Sequence, residues 1–256
     1  MKIKRIWVNI LIVLLYAASQ LSSLIPVLLY RNAGLTQDEL FARTIPFLVG
    51  GFIVASILVY FVNRAIINET TLERSRKESW RYTITWMIAG LFLALFAQMI
   101  MNMINVYIFK QPIESQNTTD ILEVARQFPI FIILIAIVGP ILEEFVFRKV
   151  IFGELYELIK LPRWAAFIIA GAISGFIFSA AHNDFDHTLI YMGMAFVFAG
   201  LYVATRRIIV PIVAHMAMNS FVVLIQLGFS DQIEKAAEKA KLSTQFIWTA
   251  VKHILY

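Results

Sequence analysis

Two adjacent glutamates, Glu143 and Glu144, lie within one of the most apolar stretches of the chain, in the sequence GPILEEFVFR. Removing a charged carboxylate from water is costly, so carboxylates in such a place are expected to be paired or functional. Arg148 follows Glu144 by four residues, an order and spacing that favour an ion pair on one helix face. Glu143 lies about 100° around the helix from Glu144 and has no local partner. We therefore predict a supporting pair, Glu144 with Arg148, beside a glutamate that is either catalytic or a protonated structural residue.

A histidine at the end of the next apolar segment is the candidate partner of Glu143. His182 ends the sequence FIFSAAH and lies four residues after Phe178, so these two side chains share a helix face. Glu143 lies 19 residues before Pro162, and His182 lies 20 residues after it. A helical hairpin that turns near Pro162 brings both side chains to nearly the same height. The earlier helix must then continue beyond Phe152, and Glu143 and His182 are predicted to face each other.

A second histidine and an asparagine share one face of a later apolar segment. His215 and Asn219 lie four residues apart in IVPIVAHMAMNSF, where interhelical hydrogen bonding alone is the ordinary interpretation. A carboxylate and an imidazole that face one water form a general-base arrangement. A histidine and an asparagine can donate hydrogen bonds to a developing oxyanion. Together these groups predict amide hydrolysis without a covalent intermediate, which requires no cysteine nucleophile, and the chain has no cysteine.

Other polar and small residues near these segments have simpler interpretations. The polar residues that follow His182 are typical of an ordinary loop: Asp184, Asp186 and His187. Three glycines in the later apolar segments are predicted to permit close helix packing: Gly171, Gly175 and Gly193.

The elements that must position these residues are membrane helices. The chain is 60% hydrophobic and 15% charged, with a mean hydropathy of +0.76, which is typical of an all-α, polytopic transmembrane helical bundle. Such a bundle is a multi-pass protein of the cell membrane, with the lipid bilayer as its first partner. An eighth span is predicted only if the end of the chain forms a further segment. Seven apolar stretches are long enough to span: 6–30, 45–67, 83–109, 128–152, 163–182, 188–205 and 207–227.

The basic residues cluster between the apolar stretches. Lysine and arginine number 22 against 17 aspartates and glutamates, and the net charge of +5 fits topology signals better than a nucleic-acid surface. If the spans alternate, four basic groups fall on one side, which is then cytoplasmic. These groups are Lys2 to Arg5, Arg64 to Arg81, Lys160 with Arg163, and Arg206 with Arg207. The tail 228–256 starts as a charged helix and ends in a short apolar stretch that is predicted to lie on the membrane interface.

Three ordered motifs resemble those of a known family. EEFVFR matches EExxxR, FSAAH matches FxxxH and HMAMN matches HxxxN, in that order along the chain. This set resembles the CPBP family of intramembrane proteases, also called the type II CAAX prenyl endopeptidase or Abi family. The resemblance covers residues 128 to 225, and it divides the chain into three parts. These are N-terminal transmembrane helices (1–127), a catalytic transmembrane core (128–227) and the tail (228–256).

The resemblance implies a role for each motif residue. It assigns activation of water to Glu143 and His182, and the oxyanion pocket to His215 and Asn219. Glu144 is also a second candidate for a catalytic carboxylate. Three residues would shape and neutralise the site: Glu144, Arg148 and Phe178.

The resemblance leaves two possibilities for a cofactor, namely none or a zinc ion. The family is often labelled as metalloproteases, but the motifs also suit a glutamate protease, and no HExxH motif is present in the chain. We therefore expect a mechanism without metal. The alternative is a zinc ion held by Glu143, His182 and His215.

The function implied is that of an integral membrane endopeptidase. Its partner would be a membrane-associated peptide or a protein tail near the bilayer, and no nucleic acid. Eukaryotic relatives in the family cut after a prenylated cysteine, whereas bacterial relatives are linked to bacteriocin self-immunity and peptide maturation; the short loops of this chain favour the second group. One alternative is a scaffold or regulatory membrane protein that uses the motifs as a binding pocket. Another is a proton-coupled transporter, which predicts internal repeats that the sequence lacks.

Overall fold

A computed structural model describes residues 3–229, and the predicted C-terminal tail lies almost entirely outside this range. The unit that ends at Ser220 contains every site residue discussed below. Its first six helices are α1 (Arg5–Leu21), α2 (Leu24–Leu29), α3 (Gln37–Arg64), α4 (Thr71–Arg74), α5 (Trp80–Tyr107) and α6 (Gln116–Gln127), of which α4 is a short helix in a loop. The later helices are α7 (Phe131–Ile133), α8 (Gly139–Glu143), α9 (Gly153–Leu158), α10 (Arg163–Ala181), α11 (Thr188–Thr205) and α12 (Ile209–Gly228).

Five of the described helices are long and apolar enough to cross a membrane: α3, α5, α10, α11 with the 3₁₀ turn before it, and α12. The helix α1 is apolar but shorter, with 17 residues. At 1.5 Å per residue, the 28 residues of α3 and of α5 give about 42 Å each, more than the roughly 30 Å of a hydrocarbon core. The predicted all-α, multi-pass membrane fold is confirmed, whereas the number of seven spans stays a prediction.

The first predicted span, 6–30, is divided in the structure. The helix α1 ends at Leu21, and α2 begins at Leu24. The hydroxyl of Ser22 donates to the carbonyl of Ser19 at 2.6 Å, and that of Ser23 donates to the carbonyl of Gln20 at 3.0 Å. Such side-chain bonds compete with the backbone pattern of a helix, which explains why the apolar run does not form one continuous helix.

The helix that carries the two glutamates runs from Phe131 to Leu158 and alternates between α and π geometry. Its π-helical segments are Leu134–Val138 and Glu144–Phe152. In the first of them, the backbone N–H of Gly139 donates to the carbonyl of Leu134, five residues earlier. Interruptions of this kind occur frequently at functional sites. The helical run continues to Leu158, as the hairpin argument from the sequence required.

The basic segments of the sequence meet at one end of the bundle. The short strands β1 (Ile3–Lys4) and β2 (Ile66–Ile67) pair there in parallel. Further contacts at this end join the N-terminus, the loop after α3, the last turns of the glutamate helix (Lys149 to Leu158) and the α11–α12 turn. They are Arg5 with Glu154, Glu73 with Lys149, Thr71 with Glu157, Arg206 with the carbonyl of Arg76, and Arg207 with the carbonyl of Glu78. This grouping is the one that alternating spans require, and the cytoplasmic side of this end stays a prediction.

Glycines allow close packing of the helices around the site. A Cβ atom on Gly175 of α10 would lie 3.2 Å from the Cβ atom of Ala195 on α11. A Cβ atom on Gly193 of α11 would lie 2.6 Å from Cγ of Met101 on α5. A side chain at Gly193 would therefore force the side chain of Met101 to shift, and the predicted role of this glycine in packing is confirmed.

Candidate active site

Glu144 is the buried centre of the site, with no solvent exposure. Its Oε2 atom lies 3.2 Å from Nε of Arg148, so the structure contains the predicted pair. Its Oε1 atom accepts a hydrogen bond of 2.8 Å from Nδ1 of His215, a contact that the sequence did not indicate. Glu144 therefore links the arginine on its own helix to the histidine on α12, and it fixes the orientation of the His215 ring.

The guanidinium group of Arg148 is fully buried and is stabilised by more than its carboxylate. Its central carbon lies 4.3 Å from the ring centre of Phe178 and 5.3 Å from that of Phe198. The contact with Glu144 is an ion pair by distance, but the N–H groups of Arg148 are not aligned for hydrogen bonds with the described residues. The ring faces of Phe178 and Phe198 therefore add two cation–π contacts to the ion pair with Glu144.

Glu143 differs from Glu144 in exposure and in contacts. Its side chain is 17% exposed, and its Oε2 atom lies 3.8 Å from Nε2 of His215. The ring of His215 stacks on Phe198, with ring centres 4.7 Å apart and an interplanar angle of 20°. The two glutamates thus contact opposite nitrogens of one imidazole, and only the side chain of Glu143 is partly exposed.

The ring of His182 is held at the C-terminal end of α10 by two aromatic side chains. Its Nδ1 atom lies 2.8 Å from the carbonyl oxygen of Phe178. A carbonyl can only accept, so Nδ1 carries a hydrogen, and Nε2 carries the lone pair when the ring is neutral. The ring centres of Phe178 and Tyr191 lie 4.6 Å and 4.4 Å away. His182 is therefore prepared to accept a proton or a hydrogen bond through Nε2.

The structure does not join Glu143 and His182 directly. Within residues 3–229, no hydrogen bond or ion pair connects the two side chains, although the sequence predicted that they face each other. The ring of Phe178 contacts both imidazoles edge-on, with ring centres 4.6 Å from His182 and 6.2 Å from His215. Phe178 is thus the side chain that both halves of the site share.

Asn219 reaches the site through the irregular backbone of the glutamate helix. Its Nδ2 atom donates to the carbonyl oxygen of Ile135 at 3.0 Å. In π register this carbonyl would pair with residue 140, but Pro140 has no N–H. Asn219 therefore satisfies an acceptor that the sequence leaves without its regular partner, and it keeps a second Nδ2 hydrogen for another bond.

The polar residues after His182 were interpreted from the sequence as ordinary loop residues. This interpretation was wrong for Asp184 and His187. Both residues are buried, at 6% and 3% exposure. Burial alone would raise the pKa of Asp184, but hydrogen bonds from Ser115 and His187 lower it overall. The partner Ser115 lies 69 positions before Asp184, in the polar stretch between the predicted spans 83–109 and 128–152, so no local pattern in the sequence could have shown this contact.

Two tyrosines near the site were also missed. Tyr191 contacts His182, as described above, and Tyr16 of α1 packs edge-on against Phe147 with ring centres 6.0 Å apart. Tyrosines in apolar segments are common at membrane interfaces, so their presence carried no signal for a site.

The donor types around the site suit zinc, but their arrangement does not form a complete set of ligands. In the part of the chain that the structure describes, no group of three or more histidine, aspartate or glutamate side chains could hold a metal ion. Glu144 bonds Nδ1 of His215, and the carbonyl of Phe178 bonds Nδ1 of His182, so each imidazole offers only Nε2. Zinc held by Glu143, His182 and His215 stays an alternative that an experiment must test.

The fold and the site define a multi-pass helical membrane protein whose centre joins two carboxylates to an imidazole of another helix, with an amide side chain bonded to the backbone of the glutamate helix. The sequence pattern of the family described as type II CAAX prenyl endopeptidase Rce1-like matches residues 125–221. The chain belongs to this family of membrane proteases, as its three motifs predicted.

Two curated relatives are similar over most of their length. The membrane-embedded CAAX protease MroQ of Staphylococcus aureus (strain USA300) is 39% identical over 241 residues, which are 92% of this chain and 96% of the relative. The putative membrane peptidase YdiL of Bacillus subtilis (strain 168) is 42% identical over 221 residues, which are 84% and 88%. No solved structure matches the chain.

Proposed function

We propose that this protein is a glutamate-type intramembrane endopeptidase. It hydrolyses a peptide bond in a membrane-associated peptide or protein by direct attack of water. The observation that carries the proposal is the contrast between two adjacent carboxylates. Glu144 is sealed between Arg148 and His215, whereas Glu143 is partly exposed and lies 3.8 Å from Nε2 of the same histidine. A site built only for stability would not need a second, accessible carboxylate there.

The water is activated by Glu143 and His182. A water molecule between them donates one hydrogen bond to Nε2 of His182 and loses its other proton to Glu143. Its oxygen forms a bond to the carbonyl carbon of the substrate, and the carbonyl oxygen becomes negative. Glu143 then passes the proton to the amide nitrogen as the carbon–nitrogen bond breaks. The step produces a carboxylic acid and an amine, and no covalent enzyme intermediate is formed.

The oxyanion is stabilised by His215 and Asn219. His215 carries a hydrogen on Nδ1 for Glu144, so its Nε2 donates only when the ring is an imidazolium ion. Both Glu143 and Glu144 contact this ring, so a carboxylate lies beside each of its two nitrogens. Asn219 supplies its second Nδ2 hydrogen, because the first is used by the carbonyl of Ile135.

The proposed function is tested by identifying new protein ends in membranes. Cells that express the wild-type protein are compared with cells that express His182→Ala at equal abundance, and N-terminal peptides from their membrane fractions are quantified. We expect at least one membrane-associated protein to be cut only in the first sample. Identical sets of ends would contradict the protease and would favour a scaffold or a transporter, neither of which cleaves a peptide bond.

The role of metal is tested separately with purified protein and the substrate found in this way. We expect activity to persist after prolonged dialysis against a chelator, and we expect a metal assay to find no stoichiometric zinc. Loss of activity in chelator that is restored by added zinc would show that Glu143, His182 and His215 act as ligands. In that case the protein remains a protease, but the activation of water by Glu143 and His182 without a metal ion is wrong.

A further inference from the structure

The ring of His182 is clasped between two aromatic rings. Phe178 approaches it edge-on at an interplanar angle of 65°, and Tyr191 of α11 lies at a more parallel 31°. Tyr191 is itself 7% exposed, so its ring is fixed by the surrounding protein. With Nδ1 bonded to the carbonyl of Phe178, the clasp leaves one orientation in which Nε2 of His182 is free.

Tyr191 is held in turn by the helix α6, which lies outside the three motifs. Its hydroxyl oxygen accepts a hydrogen bond of 3.1 Å from Nδ2 of Asn117. Ser115 caps α6, since its hydroxyl accepts from the backbone N–H of Thr118 at 3.1 Å. The same hydroxyl donates to Oδ2 of Asp184 at 2.5 Å. The first turn of α6 is therefore tied both to the clasp and to the loop that follows His182.

A second connection holds the chain before α6 against the same loop. The ring of His187 lies 2.9 Å from Oδ1 of Asp184 through Nδ1, and 3.0 Å from the carbonyl oxygen of Pro112 through Nε2. The side chain of Asn105 adds a bond of 2.9 Å to the carbonyl of Asp186. These contacts restrict the movement of α6, so the hydrogen bond between Asn117 and Tyr191 has a fixed donor.

We propose that Tyr191 is a positioning residue for His182, and that α6 supports it through Asn117. The inference rests on the proposed role of His182 in activating water. The ring of Tyr191 prevents the imidazole from turning away from the Phe178 carbonyl, and the bond from Asn117 prevents the tyrosine ring from moving aside. A general base works only within hydrogen-bonding reach of its proton, so a rotated ring lowers the rate of the chemical step and not the binding of substrate.

The kinetic test uses Tyr191→Phe, Tyr191→Leu and Asn117→Ala. Removing the ring in Tyr191→Leu is expected to lower kcat by about 10²-fold, the loss typical of a small misplacement of a catalytic group, with KM within about twofold. Tyr191→Phe and Asn117→Ala remove the same hydrogen bond, so each should lower kcat by a smaller and similar factor. Their combination should lower it no further.

The matched control is Tyr202 on the same helix. Tyr202 is 1% exposed and packs with Phe152, Ala170 and Ala199, away from His182. The same two substitutions at Tyr202, to Phe and to Leu, should leave kcat per folded molecule unchanged. An equal loss of kcat at both tyrosines would overturn the proposal, because it would show a general effect of core packing. A Tyr191→Leu loss that falls entirely in KM would overturn it as well.

A spectroscopic test is independent of catalysis. The chain has four histidines, so ¹⁵N-histidine NMR spectra in detergent can be assigned with His182→Ala. We expect a single Nδ1–H tautomer for His182 in the wild-type protein, and mixed tautomers in Tyr191→Phe and Asn117→Ala, which keep the core filled. Unchanged His182 signals in both variants would refute the positioning role. Full activity of His182→Ala would instead refute the proposed function, so the two failures are distinguishable.

Discussion

Replacement of Glu143 by glutamine is expected to abolish measurable peptide cleavage while leaving the protein folded. The amide has nearly the size of the carboxylate, but it cannot accept a proton from water. General-base catalysis typically contributes about 10²–10⁴-fold to the rate, and here the same group must also deliver the proton to the leaving amine. The side chain of Glu143 is 17% exposed, and His215 keeps its bond to Glu144, so the substitution should not leave an unpaired buried charge. Cleavage of the identified substrate by purified protein measures the effect.

Two further substitutions make this result specific. Glu123→Gln, at an exposed position of α6, should keep wild-type activity. It removes a carboxylate that is exposed and has no part in the proposed mechanism. Glu144→Gln should lower both activity and thermal stability, since Glu144 is fully buried between Arg148 and His215. If Glu143→Gln retained wild-type kcat while Glu144→Gln lost it, the base would be Glu144, and the roles of the two glutamates would be reversed.

The fold class and the supporting pair follow from the sequence because both depend on local spacing. Apolar stretches of about twenty residues predict membrane helices, and five described helices meet that requirement. A glutamate and an arginine four residues apart predict a pair on one face, and the structure places them 3.2 Å apart. Each of these features belongs to a single helix, so no knowledge of how the helices pack together was needed to predict it.

The contacts between helices were harder to predict. The bond between Glu144 and His215 joins residues 71 positions apart, and it depends on how α12 is rotated against the glutamate helix. Periodicity assigns a side chain to a face of its own helix, but it does not say which nitrogen of which histidine that face will meet. The same limit explains why equal distances in sequence from Pro162 predicted that Glu143 faces His182, although the imidazole nearest to Glu143 is that of His215.

The π-helical segments could not be predicted from the sequence for a different reason. Pro140 was visible in the sequence, but a proline can kink a helix, end it or widen it. Here the chain widens, and the carbonyl of Ile135 accepts its hydrogen bond from Asn219 on α12. The partner that makes this geometry possible comes from a helix about eighty residues away, so only the folded chain selects one outcome.

Loss of the Arg148 side chain is expected to be among the most destabilising changes in the described part of the protein. Arg148→Ala leaves Glu144 fully buried with only His215 as its partner, and it empties the space between Phe178 and Phe198. Breaking a buried ion pair by removing one partner typically costs about 3–5 kcal/mol. The variant should therefore unfold at a clearly lower temperature in detergent and accumulate poorly in membranes, whereas Arg126→Ala, at an exposed position of α6, should match the wild type.

A double variant separates the charge from the packing. In Glu144→Gln/Arg148→Met both charges are removed, the amide oxygen can still accept from Nδ1 of His215, and the methionine fills part of the space between the two rings. Apolar replacement of a whole buried pair is often neutral or stabilising, so much of the lost thermal stability should return. Cleavage should not return, because His215 loses the carboxylate that bonds its Nδ1 atom and keeps only a neutral amide in its place. Wild-type thermal stability in Arg148→Ala would instead mean that the arginine does not neutralise Glu144, and that its cation serves the substrate.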